Sequence, residues 1–345
     1  MTLEVRPLAT RAGRILRFTA LGFGAAPIGN MHRPLTEAGA EATVRQAVDL
    51  GVRYFDTAPL YGHGLSEQRV GRVLAGEPRE SFLLSTKVGR LLEPCAPGAE
   101  AGGIYQGVPP LRVRFDYSYD GVMGSYEDSL ERLGLDRVDI LYVHDIDAMT
   151  HGSREAAEAR TQALIDQGGW RALDELRAAG DVAAIGAGVN EWQACARLME
   201  LADPDIFLVA GRYSLLEQEA LATLLPACEA QGIGVVVGGP FNSGILATGP
   251  KPGAIYNYAP APREVLQRAA EIEALCARHG VALAAAALQF PLAHPAVVSV
   301  IPGGQTPDEV AANARLLDAE IPAALWRDLK AAGLMSLDAP TPEPA

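Results

Sequence analysis

Four side chains in the first half of the chain, Asp56, Tyr61, Lys87 and His144, have the types and the spacing for proton-transfer chemistry. Three of them close short apolar runs, VRYFD, SFLLSTK and VDILYVH, and Tyr61 follows closely on the first run. If those runs are neighbouring parallel strands, an acid, a phenol, an amine and an imidazole converge on one spot. A free tyrosine titrates near ~10, too high for ready proton exchange around neutrality. A lysine ammonium beside it favours the phenolate, and an aspartate keeps that lysine charged and oriented. A histidine can hold a substrate oxygen by hydrogen bonding. Tyr61 is therefore the candidate acid/base, Lys87 its tuner, Asp56 the anchor of Lys87 and His144 the orienter. Each has an ordinary structural reading when taken singly, such as a turn cap or a satisfied core histidine. Their coincidence at three successive strand ends is what points to a site.

The elements that would position them alternate along the chain. Strand candidates are 20–25, 53–56, 82–87, 139–144, 182–189, 205–210, 234–238 and 297–301; helix candidates are 40–50, 66–74, 119–133, 170–179 and 192–201. Runs that are apolar throughout, such as IGVVVG and AVVSVI, fit a parallel sheet buried on both faces. About eight such strands suffice to close a (β/α)8 barrel. A doubly wound open sheet is the competing fold, but LGFGAAPIGN is not followed at once by a helical pattern, so the dinucleotide fingerprint is weak. Residues 2–17 are expected to form a hairpin across the barrel bottom. The Gly- and Pro-rich stretches 91–118 and 241–262 read as long loops on the C-terminal face, where barrel active sites lie. One domain spanning 1–345 is expected, with 335–345 as a disordered tail.

Hydrophobic residues make up 49% of the 345, enough for a large core, and the net charge of -13 disfavours nucleic acid or an acidic membrane as partner. Cys95, Cys195, Cys228 and Cys276 are widely separated, so no CxxC, zinc-ribbon or disulfide pattern arises, and no metal is expected. The N-terminus lacks a continuous apolar run, and a cytoplasmic location with a small-molecule substrate is the expectation. Oligomeric state is left open.

The stretch GVRYFDTAPLYGHGLSEQRVGRVL resembles the signature of the aldo-keto reductases around their aspartate and tyrosine, and STK and VDILYVHD resemble their lysine and histidine segments. With IPGGQTPDEVAAN near the C-terminus, the resemblance covers nearly the whole chain. It implies a (β/α)8 barrel, a nicotinamide cofactor across the C-terminal mouth, and hydride transfer at a carbonyl or carbinol carbon. It also implies that Asn190 binds the carboxamide, that Tyr213 stacks on the nicotinamide, and that Phe241, Asn242, Ser243, Gly244 and Leu246 wrap the pyrophosphate. Val189 and Ala210 replace a serine and a glutamine usual beside that ring. Gly303, Gln305, Glu309 and Asn313 match the segment around the adenosine half. Gln305 stands where many relatives carry a basic residue for the ribose 2′-phosphate. A neutral amide forgoes that charge-assisted contact, so NAD is expected to be preferred over NADP unless a base such as Arg315 compensates.

Within the family, FDYSYDGVMGSYEDSLERLGLDRVDILYVHD, LVAGRYSLLEQ and GGPFNSGILATG with the following IYNYAPAP resemble the bacterial aldose 1-dehydrogenases acting on L-fucose, L-galactose and D-arabinose. They are similar also to L-galactose and pyridoxal 4-dehydrogenases. The implied reaction is oxidation of a cyclic hemiacetal to a lactone, with Met31, His63, Tyr119, Asp145 and Trp192 as candidate substrate contacts. The rival readings are a general NADPH-dependent aldehyde or ketone reductase and a redox-sensing binding module of the same fold.

Overall fold

The computed structural model describes residues 3–342. Eight parallel strands follow one another around a barrel: β1 (Phe23–Gly24), β2 (Tyr54–Asp56), β3 (Leu83–Val88), β4 (Ile140–His144), β5 (Ala184–Val189), β6 (Ile206–Ala210), β7 (Gly234–Gly238) and β8 (Val297–Ile301). The ring closes between its first and last strands through Gly22 N–H to Val300 O (2.9 Å) and Val300 N–H to Ala20 O (2.8 Å). The (β/α)8 barrel expected from the strand count is the fold. The paired part of β1 is shorter than the apolar run 20–25 because its flanks meet β8 only through isolated bridges.

Why the strands read as unbroken apolar runs is now evident. The outward side chains of β4 and β7 pack beneath helices and the inward ones fill the barrel, so every residue of both strands is buried. The interior cluster joins Tyr54, Ile140, Tyr142, Ile206, Leu208 and Val236 to Leu8, Leu16 and Phe18 of the N-terminal hairpin, Val5–Ala9 with Ile15–Thr19. The hairpin plugs the bottom of the barrel, and each buried aliphatic side chain there stabilises by roughly 1.5–3 kcal/mol. Helices α1 (Glu37–Asp49), α2 (Leu65–Leu74), α3 (Tyr119–Leu133), α4 (Gly169–Ala179) and α5 (Trp192–Leu201) cover the outside where the 3–4 spacing places them. Helix α3 begins where Ser118 accepts a hydrogen bond from Gly121 N (3.2 Å), and it ends at Gly134, φ 62°.

Three expectations need correction. Segment 91–118 is not simply a loop: Arg90–Pro94 and Leu111–Phe115 pair antiparallel, with Glu93 opposite Arg112 and ion-paired to it and to Arg114. The Gly- and Pro-rich composition of the intervening turn concealed that alternation. Segment 241–262 likewise holds a helical turn, Ile245–Thr248, and a small hairpin, Ile255–Tyr256 with Ala259–Pro260. The expected disordered tail is packed in its first part. Met335 and Ala339 are buried and Ser336 N donates to Gln218 Oε1 at 2.8 Å, because two apolar side chains in a polar tail sufficed to anchor it. Residues 343–345 lie outside the described residues.

Candidate active site

Asp56, Lys87 and His144 occupy the C-terminal ends of β2, β3 and β4, and Tyr61 sits on the turn after β2. That turn is fixed from below. Gly62 has φ 65°, and a Cβ there would lie 2.3 Å from Gly29 O, so only glycine lets the two loops touch. Arg69, buried in α2, donates to Ile28 O (2.5 Å) and Asn30 Oδ1 (2.8 Å) and holds the opposing loop.

The Lys87 ammonium donates to Asp56 Oδ2 at 2.7 Å and to Thr57 O at 2.8 Å. Ser85 Oγ donates to Asp56 Oδ1 at 2.7 Å, and Tyr54 and Tyr142 continue the polar chain down the barrel at 3.0 and 3.2 Å. Burial pushes the Asp56 carboxyl up, and the Lys87 charge opposes that push. Gly188 leaves the space for the lysine: a Cβ there would stand 3.2 Å from Lys87 Cε.

Lys87 Nζ lies 4.7 Å from the centre of the Tyr61 ring and makes no hydrogen bond to its hydroxyl. The expected lowering of the phenol is not what this environment produces. Burial pushes Tyr61 well above the ordinary tyrosine value, and the charge of Asp56 pushes the same way. His144 meets Tyr61 edge-on at 5.9 Å. Burial, then the charges of Arg90 and Lys87, hold its imidazole neutral, and its Nδ1 has no protein partner.

These side chains border a cavity of about 470 Å3 whose wall also includes His63, Arg90, Tyr105, Phe115, Asp145, Asn190 and Tyr258. Arg90 stacks on Phe115 at 4.8 Å and pairs with Asp145 Oδ2. Asp145, at φ 52°, also accepts from Asn190 Nδ2 at 2.9 Å and lies 3.4 Å from His144 Nε2. Burial raises its carboxyl to about 6, against the pull of Arg90.

Residues 20–333 match the model of the Aldo/keto reductase family. The chain is an aldo-keto reductase. It is 43% identical to a pyridoxal 4-dehydrogenase of Microbacterium luteolum, covering 93% of this chain and 96% of that protein. It is 42% identical to a D-threo-aldose 1-dehydrogenase of a Pseudomonas species over 98% and 99% of the two chains. Among solved structures, an aldo-keto reductase of Bacillus halodurans in its holo form superposes with a TM-score of 0.75 at 26% identity, covering 99% of both chains. The reductase is thus an NAD(P)-dependent oxidoreductase that handles small molecules.

The mouth fits a nicotinamide dinucleotide in two respects. Asn190 Oδ1 has no protein partner beside the Lys87–Tyr61–His144 group and would accept from a carboxamide. Asn242, Ser243 and Gly244 have φ 46°, 57° and 96°, a backbone curl with the exposed Ser243 hydroxyl free to donate to a phosphate. Phe241 is half-buried beside them, whereas Leu246 is fully buried and contributes packing. Other assignments change. Tyr213 is buried against Phe290 (5.1 Å) and His294 (5.9 Å), so it does not face the cavity; Arg212 before it turns towards the mouth. The Asn242 side chain is spent on Ser214 Oγ (2.5 Å) and Gly211 O (2.9 Å).

Gln305 is committed too: its amide donates to Pro27 O (3.1 Å) and Met31 O (2.6 Å) and accepts from Arg33 Nε at 2.8 Å. The exposed Arg33, unsuspected in the sequence, is the cation beside this position, while Glu309 accepts from Gln305 N at 2.7 Å and Asn313 donates to Gly303 O at 3.4 Å. Of the expected substrate contacts, His63 and Asp145 line the cavity, and burial keeps His63 neutral with Nδ1 against Leu111 O at 2.6 Å. Met31, Tyr119 and Trp192 are not in the wall. Met31 bridges Tyr105 through backbone, Tyr119 faces outwards to Glu175 (2.6 Å) and Arg171, and Trp192 packs partly buried at the start of α5. Tyr105, Phe115 and Tyr258 lie in the Gly- and Pro-rich stretches 91–118 and 241–262, where no periodicity marks an inward residue, and Arg90 precedes the first of them, just past the end of β3.

Proposed function

We propose that this reductase oxidises the C1 hydroxyl of a cyclic aldose hemiacetal, of the L-fucose, L-galactose or D-arabinose type, to the lactone in the cytoplasm. The observation that carries the reading is a wall that places Arg90 and Asp145 beside Tyr61 and His144, polar groups suited to a ring of hydroxyls. The aldose 1-dehydrogenase at 42% identity supports it, as does an L-galactose dehydrogenase of Arabidopsis thaliana at 31% over 90% of this chain and 87% of that protein.

In the reaction O1 loses its proton and C1 loses a hydride as the C1=O bond forms. The hydride acceptor would be supplied by a nicotinamide cofactor when bound. Tyr61, as phenolate, takes the proton, and neutral His144 orients O1. Lys87, held by Asp56 and Thr57, sits over the Tyr61 ring and fixes it. Arg90 and Asp145 orient the remaining hydroxyls. NAD is preferred because Gln305 brings no charge and both donors of its amide are engaged with backbone; Arg33 gives NADP a foothold.

A second reading is pyridoxal oxidation, favoured by the Microbacterium relative at 43% identity and by the ability of pyridoxal to close to a hemiacetal. Initial rates of NADH and NADPH formation with L-fucose, L-galactose, D-arabinose and pyridoxal test both. Rapid NADH formation with a sugar, abolished in Tyr61→Phe with cofactor binding intact, is the expected result. Oxidation of none of the four, with NADPH-dependent reduction of simple aldehydes, would overturn it.

A further inference from the structure

One part of the cavity wall comes from a segment with no role in the constellation above. In the hairpin after β7, Tyr256 pairs with Ala259, so Asn257 and Tyr258 form the entire turn. Their φ values are 49° and 62°, the two left-handed positions of a type I′ turn. Asparagine suits the first position, whereas glycine is the usual occupant of the second and a tyrosine is strained there. The strained residue gains reach. Tyr258 is 54% exposed as a whole, yet it lines the cavity with Tyr61, Tyr105 and Asp145. Burial raises its phenol, and the charge of Asp145 adds to that.

The turn is held from outside itself. Arg212 Nη1 donates to Asn257 Oδ1 at 2.9 Å, while its Nε donates to Asn190 O at 2.6 Å and its Nη2 lies 3.6 Å from Met149 Sδ. One guanidinium thereby ties the segments following β4, β5 and β7 to that following β6. Tyr258 N donates to Ser243 Oγ at 3.4 Å, which seats the turn against the backbone curl at 242–244.

We propose that Tyr258 is a specificity-determining residue, carried over the substrate by this turn and kept there by the Arg212–Asn257 latch. The inference rests on reading the cavity as the substrate site. A phenol presenting both an aromatic face and a hydroxyl suits a ligand that is apolar on one face and hydroxylated at its rim, as a pyranose is.

Three variants, two at Asn257 and one at Tyr258, test it without touching the reacting groups. Asn257→Gly keeps a residue at ease in the left-handed turn and removes the latch acceptor; Asn257→Asp keeps the acceptor. Amide deuterium exchange of residues 251–262 is compared in the full chain, with KM and kcat for whichever sugar, pyridoxal or simple aldehyde the wild type turns over. In Asn257→Gly, exchange at 255–260 and KM should each rise about tenfold, the worth of one charge-assisted hydrogen bond. The kcat and the NAD dissociation constant should stay as in the wild type, and Asn257→Asp should restore both changes. Tyr258→Phe should raise KM for a polyol and leave a simple aldehyde unaffected. Unchanged exchange in Asn257→Gly would remove the latch; faster exchange with unchanged KM would remove Tyr258 from the substrate. Turnover confined to simple aldehydes would instead refute the sugar reading, and the Asn257 comparison would still decide the latch.

Discussion

Asp56→Asn is the sharpest perturbation of the barrel mouth, because it leaves a buried ammonium without its counter-ion. The Lys87 and Asp56 side chains are 1% and 3% exposed and 2.7 Å apart. Removing one partner of such a buried pair costs about 3–5 kcal/mol. The low end applies here, since Lys87 keeps its bond to Thr57 O (2.8 Å) and the new amide can still accept from Ser85. That is a large part of the roughly 5–15 kcal/mol that holds a folded domain together, and in a chain of this length it corresponds to a fall in Tm of about 4 °C. Lys87→Met should cost less. The carboxyl left behind is already pushed up by burial and can relieve its isolation by taking a proton. The double variant Asp56→Asn/Lys87→Met buries no charge and should recover to within about 1–2 kcal/mol of the wild type while remaining inactive. Urea unfolding of the four proteins, with NADH formation measured alongside, closes the cycle. A single variant within about 1 kcal/mol of the wild type, or a double variant no more stable than Asp56→Asn, would refute this account of the pair.

Gly188→Ala places a methyl group 3.2 Å from Lys87 Cε, so kcat should fall about tenfold or more as the ammonium shifts, with the cofactor dissociation constant unchanged. For Asp145, the folded pKa of about 6 lies above its ordinary 3.8, so the folded state holds that proton more tightly than the unfolded chain does. Its contribution therefore favours folding at low pH and is lost as pH rises through about 6; the stability of Asp145→Asn relative to wild type should improve between pH 4 and 7 by up to about 3 kcal/mol, read by urea unfolding at each pH. Arg33→Ala should weaken NADP binding about tenfold more than NAD binding in a fluorescence titration, and equal loss for both would remove Arg33 from cofactor choice. Because burial raises Tyr61, the oxidation rate should climb with pH into the alkaline range, and a flat profile in single-turnover experiments would deny Tyr61 the role of base.

The barrel was legible because parallel strands buried on both faces leave unbroken apolar runs, of which VDILYVH and IGVVVG are two. The same logic placed Asp56, Lys87 and His144, since strand ends are fixed by those runs. It failed beyond the strand ends. Arg212 and Tyr213 are adjacent, and only the backbone turn after β6 determines that the arginine faces the mouth while the tyrosine packs on Phe290. Gln305 was read as an open contact, whereas the backbone carbonyls of residues 27 and 31, distant in sequence, claim its amide. Tyr105 and Tyr258 reach the cavity through turns whose Gly, Pro and Asn content announces a bend but not its direction.

Lys87 shows why residue types alone overstate a charge. A bare ammonium beside a phenol would lower it, but this one is paired with a carboxylate at 2.7 Å. The field of the pair at Tyr61 is then closer to that of a dipole than of a cation, and it falls off faster with distance. Burial of the phenol meets no comparable opposition, and Tyr61 stays protonated around neutrality. What Lys87 still offers is position: its charge lies 4.7 Å over the aromatic face, within range of a cation–π contact that holds the ring edge-on to His144. A phenol so placed is an acid first. Reduction of a carbonyl is open to it at neutral pH, and oxidation of a hemiacetal gains with every unit of pH towards its raised pKa.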